Sequence, residues 1–208
     1  MHRLTSVDRI VLVAPAVALL LLLAGCTNGT PTAPESSTPP PVVSTPSPTP
    51  TPTAPPAVDV TVKPERPAAL DEPPSVEGAV AVAEYFVLLY PYVYATGDLA
   101  EWNALSDPDC KFCASVDSNA REMALNGQHS EGGATSVLDP VGTEIEPAVS
   151  YSVEMDAVHQ PSATVSADGT VVESFPEITR TRWSMIVHWK GDAWAIRGVS
   201  TADEPAAT

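Results

Sequence analysis

Positive charge is what this sequence has least of. Its 208 residues hold 10 Lys and Arg against 26 Asp and Glu, a formal net charge of −16. A surface of that sign repels phosphate backbones and anionic headgroups alike, which excludes nucleic acid as a partner and leaves charge unable to hold the chain on a membrane. Catalytic signatures are missing as well: there is no Gly-x-Ser-x-Gly elbow, Ser-x-x-Lys, phosphate-binding glycine loop or His-Glu-x-x-His. Asp107-Pro108-Asp109 lacks the ladder of oxygens a calcium loop needs. His129, His159 and His188 show no ligand spacing, and one Cys-x-x-Cys supplies only two ligands, so no metal and no cofactor is expected. The apolar run at residues 10–23 is 14 residues long, short of the ~20 needed to span hydrocarbon.

That short run has a different use. His2, Arg3 and Arg9 precede it and Leu23-Ala24-Gly25-Cys26 closes it, the three-part pattern of a secretory signal peptide over residues 1–25. With cysteine directly after Leu-Ala-Gly, the segment resembles a bacterial lipoprotein signal, the lipobox. The resemblance implies cleavage before Cys26, lipidation of its sulfur (diacylglyceryl, palmitate-type chains), and a mature chain on the outer face of the cell membrane. Two acyl chains hold a protein stably where one does not. Loss of Arg3, Asp8 and Arg9 with the signal moves the net charge from −16 to −17.

Cysteine is scarce, with three residues in all. With Cys26 assigned to lipid, Cys110 and Cys113 remain as an even pair in a compartment where disulfides persist. Lysine is as scarce, at three residues, and the Ala-, Pro- and Asp/Glu-rich usage points to a high-GC Gram-positive source.

Proline is abundant, and unevenly placed. Residues 27–58 contain 11 of the 23 prolines, with eight threonines, four serines and the single charge Glu35. Such a segment cannot bury apolar surface and favours extended, disordered, polyproline-like conformations. Residues 26–58 therefore read as a stalk, reaching about 100 Å at ~3.1 Å per residue if fully extended. Residues 59–74, broken by Pro64, Pro67, Pro73 and Pro74, read as a transition without regular structure. The globular domain is expected at 75–201 and a tail at 202–208.

Within the domain, Val76, Ala79, Val80, Ala83, Phe86, Val87, Tyr90 and Val93 recur at helical spacing, predicting a helix over 76–95. Ser75 is its N-cap, Pro91 interrupts its hydrogen bonding, and Thr96-Gly97 ends it. Asp98, with Glu101 at capping-box spacing, opens a short second helix that buries Trp102 and Leu105. A third helix runs over 111–125, with Phe112, Val116, Ala120 and Met123 on one stripe and Asn126-Gly127 as its stop. After Gly127 the period changes to two. Val149, Tyr151, Val153, Met155 and Ala157 share one strand face, and Thr181, Trp183, Met185, Val187 and Trp189 share another. Ala167-Asp168-Gly169-Thr170 and Lys190-Gly191-Asp192 are the turns of two hairpins. Residues 128–147, with Gly132-Gly133 and Pro140, support only a weak strand. The fold class is α+β, three helices packed on a curved antiparallel sheet.

Tyr85-Phe86 with Leu88-Leu89-Tyr90, then Ala95-Thr96-Gly97-Asp98, and the closing Val187-His188-Trp189 … Ala193-Trp194, resemble nuclear-transport-factor-2-like domains, which include the ketosteroid-isomerase-like and SnoaL-like groups. The resemblance implies a cone in which helices cap a curved sheet. Residues 62–200 also resemble a domain of unknown function found in actinobacterial lipoproteins, in which a Cys-x-x-Cys follows the Gly-Asp helix as Cys110 and Cys113 do here.

A Cys110–Cys113 disulfide is expected as a clip across one helical turn. A redox role is the competing reading, but Asp107 and Asp109 disfavour the thiolate and the motif follows a helix rather than a strand. Asp98 is accounted for by helix capping without chemistry. In a cone the concave sheet face and the helices enclose a cavity, and Tyr85, Tyr90, Tyr151, Trp183 and Met185 are candidates to line it. Core packing suits the same side chains. The functional expectation is a lipid-anchored envelope lipoprotein whose non-enzymatic domain binds a small apolar ligand or an envelope protein. The alternatives are a small acid–base enzyme acting on an apolar substrate and, behind it, a thiol oxidoreductase.

Overall fold

A computed structural model describes residues 58–203. The expected signal peptide, Cys26, nearly all of the stalk and the tail from 204 onward lie outside the described residues.

The segment before the domain has more structure than its prolines suggest. A 3-10 turn, Ala68–Asp71, follows Pro67 and buries Leu70 in the core. Proline preceding a helical turn loses nothing, because the first amides of a turn have no partner in any case. The turn offers the Ala69 carbonyl to the Trp194 indole N–H at 2.9 Å. Upstream, Lys63 reaches Asp98 at 3.0 Å and lies over the Tyr92 ring. The stretch from Lys63 to Leu70 is thus clasped to the domain.

Helix α1, Val76–Thr96, starts where the Ser75 hydroxyl accepts from the Gly78 amide at 2.9 Å. It ends at Gly97, which is left-handed (φ 72°) and donates its amide to Val93. The helix continues through Pro91, and its buried residues fall on almost every side, from Ala79 and Val82 to Tyr92 and Val93. α1 is the only described helix long and apolar enough to cross a membrane, and its burial makes it the central helix of the core. Helix α2 is Ala100–Leu105 and α3 is Lys111–Leu125. Phe86 and Trp102 stack with centroids 3.9 Å apart, tying α1 to α2, and the Trp102 indole donates to the Cys113 carbonyl, tying α2 to α3.

Seven strands follow: β1 Gln128–Gly132, β2 Thr135–Glu146, β3 Ser150–His159, β4 Ser162–Ser166, β5 Val171–Phe175, β6 Thr179–Trp189 and β7 Trp194–Asp203. They form a three-stranded sheet, β1-β4-β5, and a four-stranded sheet, β2-β3-β6-β7. Every pairing is antiparallel. The registers show that the two sheets are one sheet, bent. Thr135 pairs with His159 and Gly132 pairs with Ser162, equal steps along both strands across the break. Ladder hydrogen bonds cross it too, from Gly133 to Pro161 O and from Gln160 to Ala134 O, both 2.9 Å.

Glycine makes this bend. Gly132 and Gly133 both have positive φ, 74° and 75°, and a Cβ on Gly132 would lie 2.5 Å from the Pro161 carbonyl oxygen. No other residue fits there. The weak strand expected over 128–147 is therefore two strands, one of them twelve residues long. The Gly-Gly pair that obscured them in the sequence is the fold line. On the helix side, Tyr151, Val153, Met155, Trp183, Met185, Val187 and Ile196 form the core under α1.

Candidate functional site

The crook of the bent sheet holds a half-open cavity of about 610 Å³. Tyr90, Pro91 and Tyr94 from α1, with Phe112, Asn119 and Met123 from α3, form one wall. The other wall comes from residues at and beyond the fold line: Gly132 and Gly133, His159 and Gln160, and alternate residues Glu173, Phe175, Glu177, Thr179 and Thr181. Trp183 lies deepest, 2% exposed, with Tyr90 and Phe112 meeting it edge-on at centroid distances of 5.7 and 5.2 Å. Tyr90, Tyr94, Phe112 and His159 are half-buried, packed on the core and still facing the cavity.

Of the five side chains expected to line a cavity, the structure places two there, Tyr90 and Trp183. Met185 and Tyr151 are buried in the core further along their strands, Tyr151 against Trp194 with centroids 5.5 Å apart. Tyr85 is buried more than a turn before Tyr90, its hydroxyl 3.5 Å from Glu101. The strand period assigns a face correctly but not the end of the face that stays open. Only the end beside the fold line, Thr179-Thr181-Trp183, reaches the cavity. Phe175, Glu173 and Glu177 reach it only because the sheet folds over, and no local sequence signal marks them.

The cavity's titratable groups differ in kind. Burial lowers the pKa of His159 below its ordinary value, keeping the ring neutral at pH 7, and its Nδ1 sits 3.0 Å from the Thr135 hydroxyl. Burial raises both Tyr90 and Tyr94, so the two phenols stay protonated and act only as hydrogen-bonding groups. The carboxylates of the lining, Glu173, Glu177 and Asp203, are exposed and form part of its rim. The other two histidines considered as ligands lie elsewhere: His129 beside Glu131, and His188 on the outer sheet face, opposite Trp183.

Cys110 and Cys113 form a disulfide at the start of α3, each 1% exposed. Thiol exchange needs an attacking thiolate to reach sulfur, and this bond is shielded from one. Asp98 lies one residue before the N-cap of α2, which is Leu99, and accepts instead from the Ala100 amide, the Tyr92 hydroxyl at 2.7 Å and Lys63. These partners, the tyrosine foremost, hold its pKa at about 2. It is a structural junction between α1, α2 and the preceding segment.

A family model described as a family of unknown function, DUF6318, matches residues 49–200. This chain belongs to that family. No curated protein matches the sequence. Among solved structures, the chain is similar to the intermembrane-space region of the chloroplast protein ARC6, at 10% identity and a TM-score of 0.48, covering 62% of this chain and 98% of that one. It is similar to an NTF2-like protein from Rhodospirillum rubrum at 17% identity and TM-score 0.42, covering 58% and 97%. It is also similar to a protein with a cystatin-like fold from Caulobacter vibrioides at 10% identity and TM-score 0.41, covering 62% and 91%. Each likeness is one of fold.

Proposed function

We propose that this DUF6318 protein is a lipid-anchored lipoprotein of the bacterial cell envelope whose domain binds a small ligand in the cavity at the sheet bend. The anchoring half of the proposal rests on the signal pattern ending at Cys26. The binding half rests on one observation: the cavity, about 610 Å³, with an aromatic floor of Tyr90, Phe112 and Trp183. Its size falls in the range of small-molecule sites, and an apolar floor with a polar rim suits a ligand with an apolar body.

A second reading, an acid–base enzyme, is favoured by His159 alone, a neutral imidazole in the cavity wall oriented by Thr135. Its base would be oriented by a hydroxyl rather than a carboxylate, which is a weak arrangement for proton transfer. Native mass spectrometry of the protein extracted from its own envelope tests the leading reading. A small molecule retained by wild type and lost from Trp183→Ala supports it. A ligand-free wild type across gentle extractions counts against it, and the domain is then a spacer or protein-interaction module.

A further inference from the structure

We infer that the cavity takes an organic cation, an alkyl- or aryl-ammonium group carried on an apolar body. The inference rests on the binding reading above and adds the sign of the ligand.

Charge is distributed around the cavity with one sign only. Its lining includes Glu173, Glu177 and Asp203 and contains neither lysine nor arginine. His159, the remaining titratable nitrogen of the wall, is kept neutral by its burial. This is more than a consequence of an acidic chain, because two arginines sit on the same strand. Along β6, Thr179, Thr181 and Trp183 turn to the cavity, while Arg180 and Arg182 alternate to the outer face. There both arginines bind Asp156, which is 2% exposed beneath them. The alternation places these two positive charges on the far side of the sheet, against Asp156.

The floor matches the rim. Tyr90 and Phe112 lie at 24° to one another with centroids 6.4 Å apart, and both meet Trp183 at close to a right angle, 78° and 79°. Aromatic rings attract a cation lying over a face within ~6 Å of the centroid, and Tyr90, Tyr94 and Phe112 are the half-buried rings of this lining that a ligand can reach. An anionic ligand meets only carboxylates at the rim and gains nothing from its charge against the aromatic lining. A neutral one gains only its apolar contact. A cation gains from both layers, and the half-open mouth lets its charge keep partial hydration.

The test uses three probes of one shape class with different charge: benzyltrimethylammonium, its neutral carbon analogue neopentylbenzene, and benzenesulfonate. Each is titrated into the full chain in a non-ionic detergent, with an empty-micelle titration subtracted, and followed by ligand-observed NMR and tryptophan fluorescence. Benzyltrimethylammonium is expected to bind roughly tenfold more tightly than neopentylbenzene. Its affinity should fall with added salt, and fall several-fold in the exposed-rim variant Glu173→Gln/Glu177→Gln. Equal or tighter binding of neopentylbenzene or benzenesulfonate overturns the inference while leaving a binding cavity. Undiminished cation binding in the rim variant overturns it too. Binding of none of the three overturns the inference and the binding reading together.

Discussion

Two side chains with buried polar atoms, on opposite faces of β3 and β6, carry separate consequences. Trp183 is buried with an unpartnered indole N–H, a group whose desolvation is not repaid by any protein acceptor. Trp183→Ala removes the floor between Tyr90 and Phe112 and is expected to cost about 3–5 kcal/mol. Trp183→Phe keeps a ring there and deletes the orphan donor, so its cost should stay below about 1.5 kcal/mol. Urea unfolding of the two variants checks this, and equal losses would mean that the N–H is satisfied in the folded protein. On the outer face, Arg182 lies directly across from Asp156 and Arg180 two residues along, with Arg180 Nε at 3.1 Å and Arg182 Nη2 at 3.2 Å. Arg182 first, then Arg180, holds the Asp156 pKa at about 2, below its ordinary 3.8. A carboxylate depressed on folding contributes stability that is complete above its unfolded pKa and lost as pH falls through its folded one. Stability should therefore drop between pH 3.8 and about 2. Asp156→Asn should be less stable at pH 7 and show a flatter acid limb, read from urea midpoints across that window. An unchanged acid limb would remove Asp156 from the account.

Helix α1 and strand β2 approach so closely that one position between them must be glycine. A Cβ on Gly142 would come within 2.7 Å of Val80 Cγ2, 2.8 Å of Val76 Cγ1 and 3.3 Å of the Val76 carbonyl oxygen. Two of those atoms are short, stiff methyls and the third is backbone, so the helix itself has to move. Gly142→Ala is expected to cost about 1–3 kcal/mol by overpacking, measured as a lowered urea midpoint at unchanged slope. Such a requirement was not readable in advance, since Gly142 stands in a stretch with little alternation. The helices were: Ser75, Gly97 and the apolar spacing of α1 are local signals, and the structure keeps all of them. The β-hairpin turns at Gly169 and Gly191 were legible for the same reason. The long β2 was not. Its irregular register between Leu138 and Val141, at Asp139-Pro140, breaks the period of two, and its exposed residues include Val141 and Ile145. The cavity was half legible. Periodicity identified the face bearing Trp183, but the bend that leaves one end of that face open depends on Gly132-Gly133 meeting Pro161 across two strands. That is a tertiary fact with no local pattern.

At the scale of the whole chain, the one described helix of membrane-spanning length is the core of the fold, and the net charge of −16 repels anionic lipid. Attachment, on the proposal made above, falls to Cys26 alone, with the Pro/Thr-rich residues that follow as a spacer. Two acyl chains supply roughly 0.8 kcal/mol per buried methylene, more than enough to hold a folded domain at a surface. The consequence is an all-or-none dependence on one sulfur. Cys26→Ser, expressed in an actinobacterial host, should fail to be processed as a lipoprotein. The domain should then appear either in the culture medium or as an uncleaved precursor of higher mass, each distinguishable by fractionation and intact-mass measurement. Its fold should be untouched in either case, because Cys26 lies outside the matched residues 49–200. A Cys26→Ser chain that is cleaved at the same bond and still sediments with membranes would place the anchor elsewhere and remove the lipid from the proposal.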